Sequence, residues 1–204
     1  MPASDPTMKL IILDRDGVIN FDSDAYIKSP QEWVAIPGSL QAIARLNQHG
    51  YRVAVATNQA GISRGLFDMK TLGAIHQKLH QAAQAVGARI DAIFYCPHAA
   101  DAHCDCRKPN PGMLLSIGQR FEVSLHNLPV VGDSLRDLQA AAQVGAAPYL
   151  VRTGNGEQTL ASGDLPPDTK IFDDLSNLVD RLLHAERAAP ETVEMARAAL
   201  AKKK

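Results

Sequence analysis

Two carboxylates stand two residues apart in the run Asp14-Arg15-Asp16-Gly17-Val18. Such a pair can share one site and do different jobs. Asp14 could attack phosphorus as a nucleophile and become an aspartyl phosphate. Asp16 could protonate the leaving oxygen and then activate the hydrolytic water. Gly17 would let the chain turn sharply. Asp-Gly pairs are also common in plain turns, so this run alone leaves both readings open. Three later features bear on the choice. Thr57-Asn58 offers a hydroxyl and an amide to phosphate oxygens, and Lys108, in Arg107-Lys108-Pro109, could neutralise a transferring phosphoryl group. Gly132-Asp133-Ser134 adds a carboxylate that could join Asp14 in holding magnesium. Each has a plainer alternative: a helix cap for Thr57, a solvated lysine, an N-cap for Asp133.

A second cluster lies between the first and second of these features. Cys96-Pro97-His98, five residues, then Cys104-Asp105-Cys106 supplies three thiolates and an imidazole. That set closes a tetrahedron with no open position, which favours structural zinc. His103 is a rival to His98, but its place directly before Cys104 would strain the geometry. All 3 cysteines of the chain fall in this window, which argues against a disulfide framework. Arg107 and Lys108 follow the last cysteine at once, so a folded zinc loop would deliver both side chains to the phosphate site. His49, His76, His80 and His126 read as surface or packing residues.

The elements that must position these groups alternate. Lys9–Asp14 is an apolar run ending in a carboxylate, as a strand buried on both faces should be. Residues 52–58, 92–95, 128–133 and 148–151 read as further strands. Helices are expected at 39–48, closed by Gly50, at 68–86, with Leu72, Ile75, Leu79 and Ala82 on one face, and at 133–144 and 175–187. Alternation of this kind predicts an α/β fold with a doubly wound parallel sheet. Ligands in such folds sit outside the carboxyl ends of the strands, which is where Asp14, Thr57 and Asp133 fall.

With 204 residues, a formal net charge of -1 and 5% aromatic residues, the chain offers no feature of a nucleic-acid or membrane partner. The longest apolar run near the N-terminus is too short for a signal segment or a membrane span, so a cytoplasmic protein is expected. Residues 1–8 read as a loose leader and 189–204 as an Ala-rich helical tail, leaving 9–188 as the working domain. No amphipathic stretch is left without a core to cover, which predicts a monomer.

The run DRDGVIN, then TNQ, RKP and VGDS, resembles the haloacid dehalogenase superfamily of phosphatases over residues 9–180. The resemblance implies a Rossmann-like sheet, with magnesium held by the Asp14 carboxylate, the Asp16 backbone carbonyl and Asp133. It leaves the Asp16 side chain free as acid and base. It makes Thr57 and Lys108 phosphate-binding residues and assigns Asp137 to orienting Lys108 or a water of the magnesium site. Asp137 could equally be an exposed helix residue. About forty residues separate the first strand from Thr57, and the cysteine loop fills the other usual insertion point, so no cap domain fits.

The capless, zinc-bearing pattern is similar to two groups, the heptose 1,7-bisphosphate 7-phosphatases and the histidinol-phosphate phosphatases. TNQAGISRGLF and RKPNPGM look more like the heptose group, which implies a phosphorylated sugar substrate in the synthesis of ADP-heptose for lipopolysaccharide core. Asn58, Gln59, Arg64 and Arg107 are then candidates for substrate contact. Arg64 would reach a sugar hydroxyl or the second phosphate, and Arg107 would grip that phosphate by two hydrogen bonds. Asp22 and Tyr26, just past the catalytic turn, could line the sugar site, and Ser134 is a weaker candidate. A receiver-like signalling module is the competing non-enzymatic reading. Asp16 opposes it, because a group poised for hydrolysis shortens the life of an acyl phosphate.

Overall fold

Strand β1 (Lys9–Leu13) alternates between two hydrophobic cores. Ile11 and Leu13 enter one, Leu10 and Ile12 the other, and the last four residues are all buried. β2 (Tyr51–Asn58) does the same with Val53 and Val55 against Ala54 and Ala56. The sheet is therefore covered on both faces, as the unbroken apolar runs require. β3 (Ala92–Cys96), β4 (Pro129–Gly132), β5 (Ala147–Val151) and β6 (Lys170–Phe172) complete it.

The computed structural model describes residues 8–187. Within it the six strands run in the order β3-β2-β1-β4-β5-β6, and every neighbouring pair is parallel. On one face lie α1 (Ser39–Gln48), α2 (Met69–Ala85) and the helical residues 175–187 (α6), through Ile43, Leu46, Ile75, Leu79 and Leu178. On the other lie α3 (Gly112–Phe121) and α4 (Leu135–Gln143), through Leu114, Ile117, Ala140 and Ala141. α5 (Gly156–Ser162) follows β5. The chain first builds outward from β1 to β3 and then crosses to β4 on the other side. Between β1 and β4 it opens the crevice where doubly wound sheets bind ligands.

The first five strands and four of the helices lie within two residues of their expected ends. α3, α5 and β6 were not foreseen. The three-residue β6 is too short to show a period, and the Pro109-Asn110-Pro111-Gly112 run hides the start of α3. No cap domain is present among the described residues. The expected leader, apart from Met8, and the expected helical tail lie outside the described residues. No helix among the described residues is long and apolar enough to cross a membrane.

Candidate active site

Asp14 follows β1 directly, and its N–H donates to Val131 O at 2.8 Å, so the strand pairing itself fixes the nucleophile candidate at the crevice. Asp133 follows β4. Gly17 has φ +78°, and a Cβ there would overlap the Asp133 carboxylate, which lets the two strand ends meet. Asp14, Asp133 and Asp137 bring carboxylate oxygens within 4.8 Å of one another.

The Lys108 Nζ lies beneath them, 3.0 Å from Asp14 Oδ1 and 2.7 Å from Asp137 Oδ1, and donates to Ala56 O at 2.6 Å. Burial alone would depress Lys108, but the Asp137 and Asp14 charges outweigh it and hold its pKa above the usual lysine value. Burial would likewise raise Asp137; Lys108, Arg136 and the hydrogen bonds from Lys108 and Ser134 hold it below the carboxylate range. Asp137 is thus committed on both oxygens and buried, not exposed on its helix: Lys108 takes Oδ1, and the Ser134 N–H and hydroxyl take Oδ2.

Asp14 and Asp133 differ from Asp137. Burial, with the neighbouring carboxylates, pushes Asp14 up to about 8 against the opposing Lys108. Burial and Asp137 push Asp133 up to about 6, against a hydrogen bond from the Asn155 N–H. Two buried carboxylates so destabilised as anions fit a hard divalent cation, which would restore both to the charged form. Asp14, Asp133 and the Asp16 backbone carbonyl are the groups that would hold it. Bound magnesium would supply charge to offset the repulsion between a carboxylate and a phosphate ester.

A cleft of about 160 Å³ opens over this floor, lined by Asp16, Asp22, Tyr26, Thr57, Gln59 and the two cations Arg107 and Arg136, among others. Gln59 Nε2 donates to both Thr57 Oγ1 and Asp16 Oδ2 at 2.9 Å, tying the second strand end to the acid. Arg64 is placed over the Tyr26 ring, 5.5 Å from its centre, beside the cleft and not among the residues that line it. Two candidates for substrate contact are otherwise engaged. The Ser134 hydroxyl is spent on Asp137 in a capping box at the start of α4. The Asn58 amide lines the cleft but exchanges two hydrogen bonds with the Lys108 peptide, at 3.0 and 3.1 Å.

Three residues were not foreseen. Arg136 lines the cleft, one position before Asp137. Asn155 donates its N–H to Asp133 Oδ2 at 2.8 Å and its amide to Asp22 Oδ2 at 3.0 Å. Gly154, at φ +58°, lets that loop approach: a Cβ would lie 2.6 Å from Gly17 Cα and closer still to Asp133. The signal was the Thr153-Gly154-Asn155-Gly156 run after β5, a strand end of the same kind as the others.

Cys96, His98, Cys104 and Cys106 converge on one another. Sγ–Sγ distances are 3.5–3.6 Å, and His98 Nδ1 lies 3.3 and 3.6 Å from Cys106 and Cys96. A tetrahedron with Zn–S about 2.3 Å and Zn–N about 2.0–2.1 Å has edges of about 3.5–3.8 Å, so this donor set fits one such ion. His103 sits in a left-handed turn outside the four. Arg107 donates to His98 O at 3.1 Å and the Lys108 peptide is held by Asn58, so the loop and the floor of the site form one unit.

A family model for HAD-hydrolase-like proteins matches residues 105–178, and one for polynucleotide kinase 3 phosphatase matches residues 9–141. A D-glycero-beta-D-manno-heptose-1,7-bisphosphate 7-phosphatase of Bordetella bronchiseptica is 61% identical over 176 residues, covering 86% of this chain and 98% of the relative. The chain belongs to the haloacid dehalogenase-like phosphatases. As a member of this hydrolase family it is an enzyme, and the receiver-like reading falls. A relative of the same name from Pseudomonas putida is 54% identical and covered in full, across 86% of this chain. Among solved haloacid dehalogenase-like structures, the B. bronchiseptica D,D-heptose 1,7-bisphosphate phosphatase complexed with magnesium and phosphate superposes with a TM-score of 0.86. It has 60% identity and covers 87% of this chain and 99% of its own. The corresponding enzyme of Burkholderia thailandensis gives 0.70 at 54% identity, covering 86% and 98%.

Proposed function

We propose that this phosphatase removes the 7-phosphate of D-glycero-β-D-manno-heptose 1,7-bisphosphate, with magnesium, on the way to ADP-heptose for lipopolysaccharide core. The observation that carries this reading is the cleft itself. A capless cleft is lined by Asp14 and Asp16 together with the cations Arg107 and Arg136, in a chain whose relatives bear that name. A substrate with a second phosphate calls for cations such as these in the cleft.

The chemistry follows from the residues. Asp14 attacks phosphorus as the bond to the sugar oxygen breaks, and Asp16 gives that oxygen its proton. Asp16, now a carboxylate, takes a proton from water as the water attacks the aspartyl phosphate, releasing phosphate and restoring Asp14. Lys108 keeps the phosphoryl charge in check, and magnesium, which Asp14, Asp133 and the Asp16 carbonyl would hold, would supply further positive charge there. Thr57, with its hydroxyl proton free while Gln59 donates to its oxygen, binds a phosphoryl oxygen. Asp22, Tyr26 and Gln59 border the sugar, and Arg64 backs the Tyr26 ring beside it. Zinc in the cysteine loop is structural, holding Arg107 and Lys108 in register. Three reduced thiols placed for a metal suit a cytoplasmic enzyme, and residues 9–188 are proposed as the working domain of a monomer.

Phosphate release from heptose 1,7-bisphosphate and from histidinol phosphate, side by side with magnesium, tests the assignment. The expected result is a strong preference for the bisphosphate with the 1-phosphate retained in the product. A preference for histidinol phosphate would refute the substrate.

A further inference from the structure

Asp16 is surrounded by N–H groups. Arg15 Nε donates to Oδ1 at 2.9 Å and Nη2 to Oδ2 at 3.0 Å, a two-pronged grip. Asn20 Nδ2 adds a bond to Oδ1 at 2.8 Å, and Gln59 Nε2 one to Oδ2 at 2.9 Å. These donors differ in their freedom. Asn20 and Gln59 are neutral amides whose NH2 groups are shared with Phe21 O and Thr57 Oγ1. Arg15 is fully buried, at 0% exposure, and does not line the cleft. Its remaining nitrogen, Nη1, lies 3.2 Å from His76 Nε2 on α2, a helix far away in sequence. The His76 ring is tilted against Tyr95 of β3 at 6.1 Å. Burial and the Arg15 charge push His76 down to about 4, so it is neutral and its Nε2 can accept.

A buried guanidinium costs several kcal/mol to desolvate, and nothing in the phosphoryl-transfer steps touches this one. We propose that Arg15 is a positioning residue: braced from behind by His76, its fork sets the angle at which the Asp16 carboxyl meets the oxygen of the departing alcohol. Forked onto Asp16 on one side and held by His76 on the other, Arg15 is the donor whose geometry fixes the carboxyl. This inference rests on Asp16 being the acid and base of the proposed reaction.

The test uses leaving groups. The kcat/KM value reports steps up to phosphoryl transfer. An alkyl phosphate needs its departing oxygen protonated, whereas p-nitrophenolate leaves without a proton. Arg15→Gln is expected to lower kcat/KM for heptose 1,7-bisphosphate about a hundred-fold, within the range that acid catalysis contributes, and for p-nitrophenyl phosphate less than about threefold. Arg15→Lys keeps the charge without the fork and should show the same selectivity with a smaller loss. His76→Phe leaves the buried ion pair untouched and should do likewise, which covers the case in which the Arg15 variants fail to fold by circular dichroism. Equal losses on both substrates, or none, in the folded variants would overturn the proposal. Asp16→Asn is the reference arm: if it too fails to discriminate between the substrates, the acid–base reading of Asp16 is what has failed.

Discussion

Adding one methyl group at Gly154 should disturb both the stability and the magnesium site, although the residue is exposed. At φ +58° an L side chain costs about 1–2 kcal/mol. The new Cβ would also lie 2.6 Å from Gly17 Cα and nearer still to the Asp133 carboxylate, far inside van der Waals contact. Relieving such overpacking costs about 1–3 kcal/mol more, giving about 2–5 kcal/mol for Gly154→Ala. Gly163 provides the control, because it has φ +76° and an added methyl there would meet nothing within 4 Å. Gly163→Ala should therefore cost the backbone strain alone, about 1–2 kcal/mol. At about 2–4 °C per kcal/mol for a protein of this size, Tm should fall by about 4–20 °C in the first variant and about 2–8 °C in the second. The clash also falls on Asp133, one of the residues proposed to hold magnesium. If about 1.4 kcal/mol of it is released by moving Asp133, magnesium binding weakens about tenfold, and Gly163→Ala leaves it unchanged. Thermal melts with and without magnesium, and calorimetric titration with the ion, measure both. Equal melts for the two variants with unaltered magnesium affinity would refute the packing of the β5–α5 loop against the site.

Magnesium-free protein should lose stability as the pH rises. Asp14 titrates near 8 when folded against 3.8 when unfolded, so its contribution is fully present below about 3.8 and is lost as the pH climbs through 8. Tm without magnesium should thus fall between pH 5 and 8, and added magnesium should raise it more at pH 8 than at pH 5. Removing zinc, or Cys104→Ser, should lower kcat/KM for the bisphosphate about tenfold or more even in excess magnesium, because Arg107 loses its mooring to His98. Unchanged kinetics in protein shown by metal analysis to be zinc-free would contradict the role of the loop. Arg107→Ala should raise KM for the bisphosphate about tenfold, as loss of a charged hydrogen bond does, and leave p-nitrophenyl phosphate nearly unaffected.

What could be read from the sequence was what depends on local order. Asp14, Thr57 and Asp133 were visible because each closes an apolar run, and strand ends in a parallel sheet share one rim. The cysteine loop was visible because its ligands lie close together in the chain. Asp137 was legible as a partner of Lys108 only through the family resemblance. Arg15 was given no role, since its partner His76 lies on α2 and only packing brings the two together. Arg136 escaped for the same reason, whereas Asn155 stood in the Thr153-Gly154-Asn155-Gly156 run after β5, a strand-end signal that went unused. Ser134 was offered to the substrate because a hydroxyl beside an active-site carboxylate looks available. Its capture by Asp137 depends on the start of α4, a boundary that periodicity locates only to within a residue or two.

The strand order has a consequence for how the protein is made. β1 lies at the centre of the sheet, and its second neighbour is β4, where Ile12 pairs with Val130. On the ribosome, at about 5–20 residues per second, roughly 6–24 s pass between synthesis of these two partners. Throughout that interval a five-residue strand with an apolar row on each face has an open edge, the feature that invites pairing with another chain. Asp14 closes that strand, yet it waits for Asp133 and Asn155, made later, before it has a site to serve.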